Sequence, residues 1–304
     1  GSALVTAPVE GVTLGDIQEL TAVMLESGAT IQEINSLRRK LDKLKGGGMV
    51  RLVNGARIIS LILSDVVGNS LEAIASGPTV LDPVKQIEIK GILEKYQLSE
   101  RLPNAIMNAL QTKEDSSYIG ARGFQNVENI LVGSNLAAAQ GGLKQAEHEG
   151  FHPYLLRTDM IGEAREAAFT LATFLRQAKK TGEPVSPPAC IIAGGETTVT
   201  LRGNGKGGRN TELALAAVND LADFPGVLLV TLATDGEDGP TDAAGAVVTS
   251  DTFRRAKELG MHPGEYLSRN DSYTFFERLG DLIKPGSTGT NVNDLTFLFT
   301  SQDR

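Results

Sequence analysis

Apolar residues recur at helical spacing near the start of the chain: Leu14, Ile17, Leu20 and Met24, then Ile31, Ile34, Leu37, Leu41 and Leu44. Each run follows a capping-box signature, Thr13-Leu14-Gly15-Asp16 and Thr30-Ile31-Gln32-Glu33. In that pattern a hydroxyl and a carboxylate satisfy the first free amides of a helix. The spacing predicts two helices, the second stopping at Gly46-Gly47-Gly48. The pattern then changes. Ile58-Ile59-Ser60-Leu61-Ile62-Leu63 is continuous rather than alternating, which predicts a strand buried on both faces. Short strands are expected at 129–132 and 154–156, each followed by a helix, over about 135–148 and 163–179. Strand and helix in alternation predict a parallel sheet with helices packed on it.

Three prolines and a glycine in Thr181-Gly182-Glu183-Pro184-Val185-Ser186-Pro187-Pro188 predict a boundary. The chain of 304 residues then divides into α/β domains over 1–182 and 189–304, in keeping with roughly 150 residues per domain. In the second domain strands are expected at 189–193, 227–233, 245–248 and 296–299, with a helix from Thr211 and two short helices before the last strand.

At 41% apolar and 22% charged residues, the composition fills a sizeable core. The net charge of −8 argues against a general nucleic-acid or anionic-membrane binder. It leaves room for a small anionic ligand held by local cations. Cys190 is the single cysteine, which excludes an internal disulfide and a multi-cysteine zinc site and fits a reducing compartment. No apolar run approaches the ~20 residues of a membrane helix, and no signal-peptide pattern opens the sequence. The expectation is a soluble, cytoplasmic protein.

Ligands of open parallel sheets bind beyond the carboxyl ends of the strands. That rule singles out Ser64-Asp65, Gly133-Ser134-Asn135 and Arg157-Thr158-Asp159, although the same residue types end strands and cap helices. The most distinctive segment is Gly203-Asn204-Gly205-Lys206-Gly207-Gly208-Arg209-Asn210-Thr211-Glu212. It is not a Walker A loop, and it does not open a βαβ unit as a dinucleotide fingerprint would. Its glycines would let backbone amides approach an anion at a helix start, with Lys206 and Arg209 supplying charge. The alternative is a flexible hairpin loop with solvated cations. In Ala233-Thr234-Asp235-Gly236-Glu237-Asp238-Gly239-Pro240-Thr241-Asp242, four carboxylates follow an apolar strand. This suits Mg²⁺ held by one or two carboxylates plus phosphates, or else an acidic surface turn. A cationic glycine loop beside an acidic loop is what phosphoryl transfer from a Mg²⁺-nucleotide requires. Arg38 and Lys45, seven apart, are expected on one helix face, where basic residues also simply favour the helix dipole.

Together these segments resemble the glycerate 2-kinase family, built of DUF4147 and MOFRL domains. The resemblance rests on Leu63-Ser64-Asp65-Val66-Val67-Gly68, Ile74-Ala75-Ser76-Gly77-Pro78-Thr79 and Ala193-Gly194-Gly195-Glu196-Thr197-Thr198. It continues through Gly205-Lys206-Gly207-Gly208-Arg209-Asn210, the acidic segment from Thr234 to Ala243, and Thr288-Gly289-Thr290-Asn291-Val292-Asn293-Asp294. It implies an α/β fold: a Rossmann-like parallel-sheet domain, N-terminally incomplete, plus a smaller C-terminal α/β MOFRL domain. It also implies ATP- and Mg²⁺-dependent phosphorylation of D-glycerate to 2-phosphoglycerate, and it leaves a homodimer open. On the family's motif positions, Arg209 is the essential arginine, cast as the stabiliser of charge on the transferred phosphoryl group. Chemistry laid on the remaining positions assigns Asp65 to the glycerate hydroxyl, Lys45 to catalysis, and Asp235 and Asp238 to the metal. Substrate or nucleotide contacts fall on Ser2, Arg38, Ser134, Asn135, Glu196, Lys206, Gly207, Gly208, Asn210 and Asn293. Family members carry a further segment ahead of the Gly1-Ser2-Ala3-Leu4 turn, with a functional lysine that no lysine here matches. Two alternatives follow. A hydroxypyruvate reductase would need a dinucleotide fingerprint where Ser64-Asp65-Val66-Val67-Gly68 stands, and a catalytically inactive glycerate- or nucleotide-binding fragment would fit the N-terminal departure.

Overall fold

Both capping boxes form in the computed structural model, which describes residues 4–53, 55–82, 86–111 and 121–302. The Thr13 hydroxyl accepts the Asp16 amide at 3.1 Å and the Asp16 carboxylate accepts the Thr13 amide at 2.7 Å, starting α1 (Leu14–Glu26). Thr30 and Glu33 do the same for α2 (Ile31–Lys40). Helix α2 ends at Lys40, short of the glycines. The buried Asp42 carboxylate accepts the Thr6 hydroxyl and the amides of Ala7, Leu44 and Lys45, and these bonds draw the chain off the helical path. Arg38 and Lys45 therefore do not share a helix face. After α3 (Gly48–Leu52) come β1 (Ile58–Leu63), α4 (Gln86–Lys95), α5 (Asn104–Gln111) and β2 (Val127–Gly133). The apolar faces of α1 and α2 meet those of α4 and α5 in one cluster, with Leu20, Met24, Leu37 and Ile106 fully buried.

Strands β1 and β2 form a two-stranded sheet. The continuous apolar run of β1 is not buried on both faces: Ile59 is 54% and Leu61 69% exposed, and exposure alternates along the strand. Two strands alone offer little area for packing, so one side stays open among the described residues.

The larger sheet contains β3 (His152–Met160), β4 (Ala189–Gly195), β5 (Val227–Ala233), β6 (Gly245–Thr249), β7 (Leu282–Ile283) and β8 (Asp294–Thr300), in the order β3-β4-β8-β5-β6-β7. Only β3 and β4 run parallel. The last strand, β8, inserts antiparallel between β4 and β5, which makes the sheet mixed rather than parallel. Helices α7 (Ala164–Thr181) and α8 (Arg209–Leu221) cover one face through Ala168, Leu171, Leu175, Ala214 and Ala217, packed on Ile191, Leu229 and Leu298. Helix α6 (Asn135–His148) covers the other through Ala139 and Ala146, against Cys190, Ile192 and Leu295. Strand β4 is buried at every residue. Burial pushes the Cys190 thiol up to about 12, so it stays protonated and inert at neutral pH. Helices α9 (Thr252–Glu258), α10 (Pro263–Ser268) and α11 (Ser272–Leu279) precede β7, one more than the two short helices expected. No helix among the described residues is long and apolar enough to cross a membrane.

Contacts divide the chain into one unit of Gly1–Ile62 with Asn69–Val132 and another of Leu63–Gly68 with Gly133–Arg304. This differs from a division at 182 and 189. The proline-rich segment is the turn from α7 into β4, and β4 pairs with the preceding β3. Prolines there stop a helix inside a unit, because the strands flanking the helix are hydrogen-bonded neighbours.

Candidate active site

Three strand ends meet at one edge of the larger sheet. Asp294, the first residue of β8, stands in register with Gly195 at the end of β4 and with Ala233 at the end of β5. Arg209, the first residue of α8, reaches this junction. Its Nε donates to Asp294 Oδ2 at 2.5 Å and its Nη2 to Oδ1 at 3.1 Å, while Nη1 donates to Glu196 Oε1 at 2.9 Å. Two parallel bonds fix the plane of the guanidinium as one ion pair could not. Asp294 is buried and Glu196 is 43% exposed at its side chain, so the arginine is anchored on one side and open to exchange on the other. Burial pushes the Asp294 carboxyl upward, opposed by the bonds from Arg209.

The start of α8 explains how Arg209 is aimed. Asp238 turns its buried carboxylate onto that helix end. Oδ1 accepts the Asn210 amide at 2.9 Å, and Oδ2 accepts the Thr211 amide and hydroxyl, both at 2.8 Å. Burial pushes the Asp238 carboxyl up, against these bonds. Both oxygens are committed to the helix, so Asp238 leaves the metal set: it is the acid that caps α8. Asn210 is likewise internal, with its amide group on Asp238 at 3.3 Å and its carbonyl accepting the Thr231 hydroxyl. Its expected ligand contact is replaced by a structural one. A side chain on Gly208 would run into the Asp238 carboxylate, which is why glycine stands there.

The glycine-rich loop is packed, not a flexible hairpin. Gly203 and Gly205 lie against the backbone of Arg269 and Asp271, and Gly207 lies against the Ser272 hydroxyl. Asn270 Oδ1 accepts the amides of Arg202 and Gly203, Arg269 O that of Gly205, Asp271 Oδ1 that of Lys206, and the Thr211 hydroxyl that of Gly208. Most of the amides expected to cradle an anion are thus bonded within the protein. The positive charge remains: exposed Lys206 holds its ammonium 3.7 Å from the centroid of the Tyr273 ring.

Asp235 follows β5, half-buried, and its Oδ1 accepts the Glu237 amide at 3.1 Å. Among the described residues no group of three acids, histidines or cysteines could hold a metal. Asn293, at φ 67°, turns the chain into β8, and its carbonyl accepts the Thr234 amide and hydroxyl. Asn135 donates to the carbonyls of Val292 and Asp294, both at 2.9 Å, tying the start of α6 to the same edge. A side chain on Gly194 would collide with Asn135 Oδ1. Ser134 caps α6 by accepting the Ala137 amide, and Asp65 is exposed in the segment after β1. Arg157 and Asp159 pair with each other in solvent at 2.8 Å.

Arg38 and Lys45 belong to the other unit. Lys45 is buried, and burial holds its ammonium below the ordinary lysine range, helped by the charge of Arg38 and opposed by Asp42 at 3.9 Å. Ser2 lies outside the described residues. Sequence reasoning missed Asp294, the principal partner of Arg209. The signal is present in the sequence, since Asp294 is the acid that opens an apolar strand, whereas the expected contact falls on its neighbour Asn293.

The chain matches the MOFRL family over residues 189–294 and a domain of unknown function, DUF4147, over residues 1–111. It is 41% identical to the D-glycerate 2-kinase of Thermotoga maritima, over 97% of this chain and 69% of that protein. It is 38% identical to the glycerate 2-kinase of Pyrococcus horikoshii, over 100% of this chain and 69% of that protein. The crystal structure of a Thermotoga maritima glycerate kinase superposes with a TM-score of 0.91 at 40% identity, covering 98% of this chain and 70% of that one. The relatives that share this fold and these motifs bear the names of kinases. The chain belongs to the glycerate kinase family.

Proposed function

We propose that this chain transfers the γ-phosphoryl group of Mg-ATP to the 2-hydroxyl of D-glycerate in the cytoplasm, giving 2-phosphoglycerate and ADP. The observation that carries the reading is the doubly bonded Arg209–Asp294 pair at the sheet edge, with Glu196 as an exposed, exchangeable third partner. Relatives of this chain bear the name glycerate 2-kinase.

In the transfer, the glycerate oxygen bonds to phosphorus as the bond to the β,γ-bridging oxygen breaks, and the hydroxyl proton leaves to a base. Arg209 faces charge on the equatorial phosphoryl oxygens, where arginine is most effective. It arrives already oriented, so little reorganisation is needed. Lys206 adds a cation for the nucleotide's phosphates. Asp65, exposed beyond β1, is assigned to the hydroxyl as orienter or base. Asp235 would hold the Mg²⁺ that accompanies the nucleotide, which would supply neutralisation of phosphate charge. Arg38 and Lys45 are assigned as an anion-binding pair in their own unit, suited to a carboxylate or phosphate.

Phosphorus NMR of the chain with Mg-ATP and D-glycerate tests the reading. The expected result is a 2-phosphoglycerate signal growing in step with ADP. A 3-phosphoglycerate signal would overturn the assigned position, and unchanged ATP would overturn catalysis by this chain.

A further inference from the structure

The lysine of the glycine-rich loop does not hang free. Its backbone is docked on the start of α11: Asp271 Oδ1 accepts the Lys206 amide at 3.1 Å, and Lys206 O accepts the Tyr273 amide at 2.9 Å. The close approach of Gly205 and Gly207 to Asp271 and Ser272 permits this docking. The side chain then folds over Tyr273, with the ammonium 3.7 Å from the ring centroid.

The ring itself is immobilised. Tyr273 is 4% exposed; its hydroxyl donates to Asp242 Oδ1 at 2.6 Å and accepts from Lys284 Nζ at 2.6 Å, and Lys284 also donates to Asp242 at 3.2 Å. Lys284 thus has a carboxylate, with Glu277 a further 3.9 Å contact. Lys206, by contrast, has no carboxylate within 4.0 Å among the described residues. An aromatic face attracts a cation without neutralising it. An exposed lysine held on such a face keeps its full charge and its outward donors while losing conformational freedom. This arrangement suits recognition of a polyphosphate, where a freely rotating lysine would have to be ordered on binding.

We infer that Tyr273 is a positioning residue for nucleotide binding: its ring, pinned by Asp242 and Lys284, presents the Lys206 ammonium to the phosphates of Mg-ATP. The inference rests on the kinase reading above and adds the element that prepares its phosphate site.

A double-mutant cycle in Mg-ATP affinity, measured by isothermal titration calorimetry, tests it. Tyr273→Leu removes the ring and should weaken binding about twofold to fivefold, the range of an exposed cation–π contact. Tyr273→Phe keeps the ring face but loses the bonds to Asp242 and Lys284 that pin it, so its affinity should fall between those of wild type and Tyr273→Leu. In a Lys206→Met background, Tyr273→Leu should cause no further loss, because Lys284, the other ammonium over the ring at 4.9 Å, is already paired with Asp242. Additive losses, or a Tyr273→Leu protein that binds as wild type does, would overturn the inference. Because Tyr273 is buried, a second measurement avoids its replacement. In NMR spectra of the wild type, the Lys206 side-chain methylene signals, identified by their disappearance in Lys206→Met, should be shifted upfield by the ring and should move on adding Mg-ATP. Random-coil shifts would overturn the inference with no variant at Tyr273. Wild-type protein that does not bind Mg-ATP at all would overturn the kinase reading and this one together, whereas binding with a flat cycle overturns this one alone.

Discussion

Arg209 and Asp238 divide the labour at the start of α8, and their substitutions should separate cleanly. Arg209→Ala removes the group facing the transferred phosphoryl, and kcat should fall by about 10³-fold or more, read as ADP release in a coupled assay. Asp294→Asn keeps the shape but loses the charge that anchors the guanidinium at 2.5 Å and 3.1 Å. A smaller fall in kcat, about 10- to 100-fold, is expected, because Glu196 still holds Arg209 by one bond. Equal activity in Asp294→Asn and wild type would remove Asp294 from the machinery. Asp238→Ala should behave otherwise. It strips acceptors from the amides of Asn210 and Thr211 and from the Thr211 hydroxyl, at a cost of about 2–3 kcal/mol in chemical denaturation. The Mg²⁺ concentration giving half-maximal rate should not move. A tenfold rise in that concentration with unchanged stability would return Asp238 to the metal site.

At the level of elements, the α2 capping box carries a pH signature. Thr30→Ala should cost about 1 kcal/mol. Glu33 is held down at about 2, first by Lys95 and then by the Thr30 amide, against an ordinary 4.5. A carboxylate held low in the folded state stabilises fully above its unfolded value and loses that contribution as pH falls toward the folded one. The stability gap between wild type and Glu33→Gln, from urea denaturation, should therefore be widest above pH 4.5 and close as pH falls toward 2. A gap constant across that range would show that the charge of Glu33 adds nothing to folding. The same element shows what a sequence makes legible. Thr30 and Glu33 lie three residues apart and act locally, so the start of α2 could be read directly. Its end could not, because Asp42 stops it through Thr6 and Ala7, bonds of long sequence separation. The site divides in the same way. Glycines flanking Arg209 marked the loop, whereas the loop's packing on Arg269 to Ser272 and the pairing of Arg209 with Asp294 depend on a sheet order that places β8 between β4 and β5. Alternation of strands and helices marked the fold as α/β, and β3 and β4 do pair parallel, but it says nothing of a final strand that returns antiparallel between β4 and β5.

Across the whole molecule, each unit owns its core. The helical unit is closed by Leu20, Met24, Leu37 and Ile106, while the other builds on a central strand, β4, with no exposed residue. Separate cores predict separate unfolding steps, so calorimetry should show two transitions rather than one. Hydrogen exchange assigns them: the slowest amides should lie in β4, β5 and β8, which pair on both edges. The proposed nucleotide residues Arg209, Lys206 and Asp235 all belong to the unit built on that sheet. A ligand that binds only the folded form stabilises the part that holds it, by about 2.7 kcal/mol at a hundredfold excess over Kd. Mg-ATP should therefore raise the transition of the sheet unit and slow exchange in α8 and around Gly207. Stabilisation confined to α1, α2 and α5 would instead place the phosphates near Arg38 and Lys45. The glycine loop, the Arg209–Asp294 pair and the acidic turn would then have to be explained as scaffold.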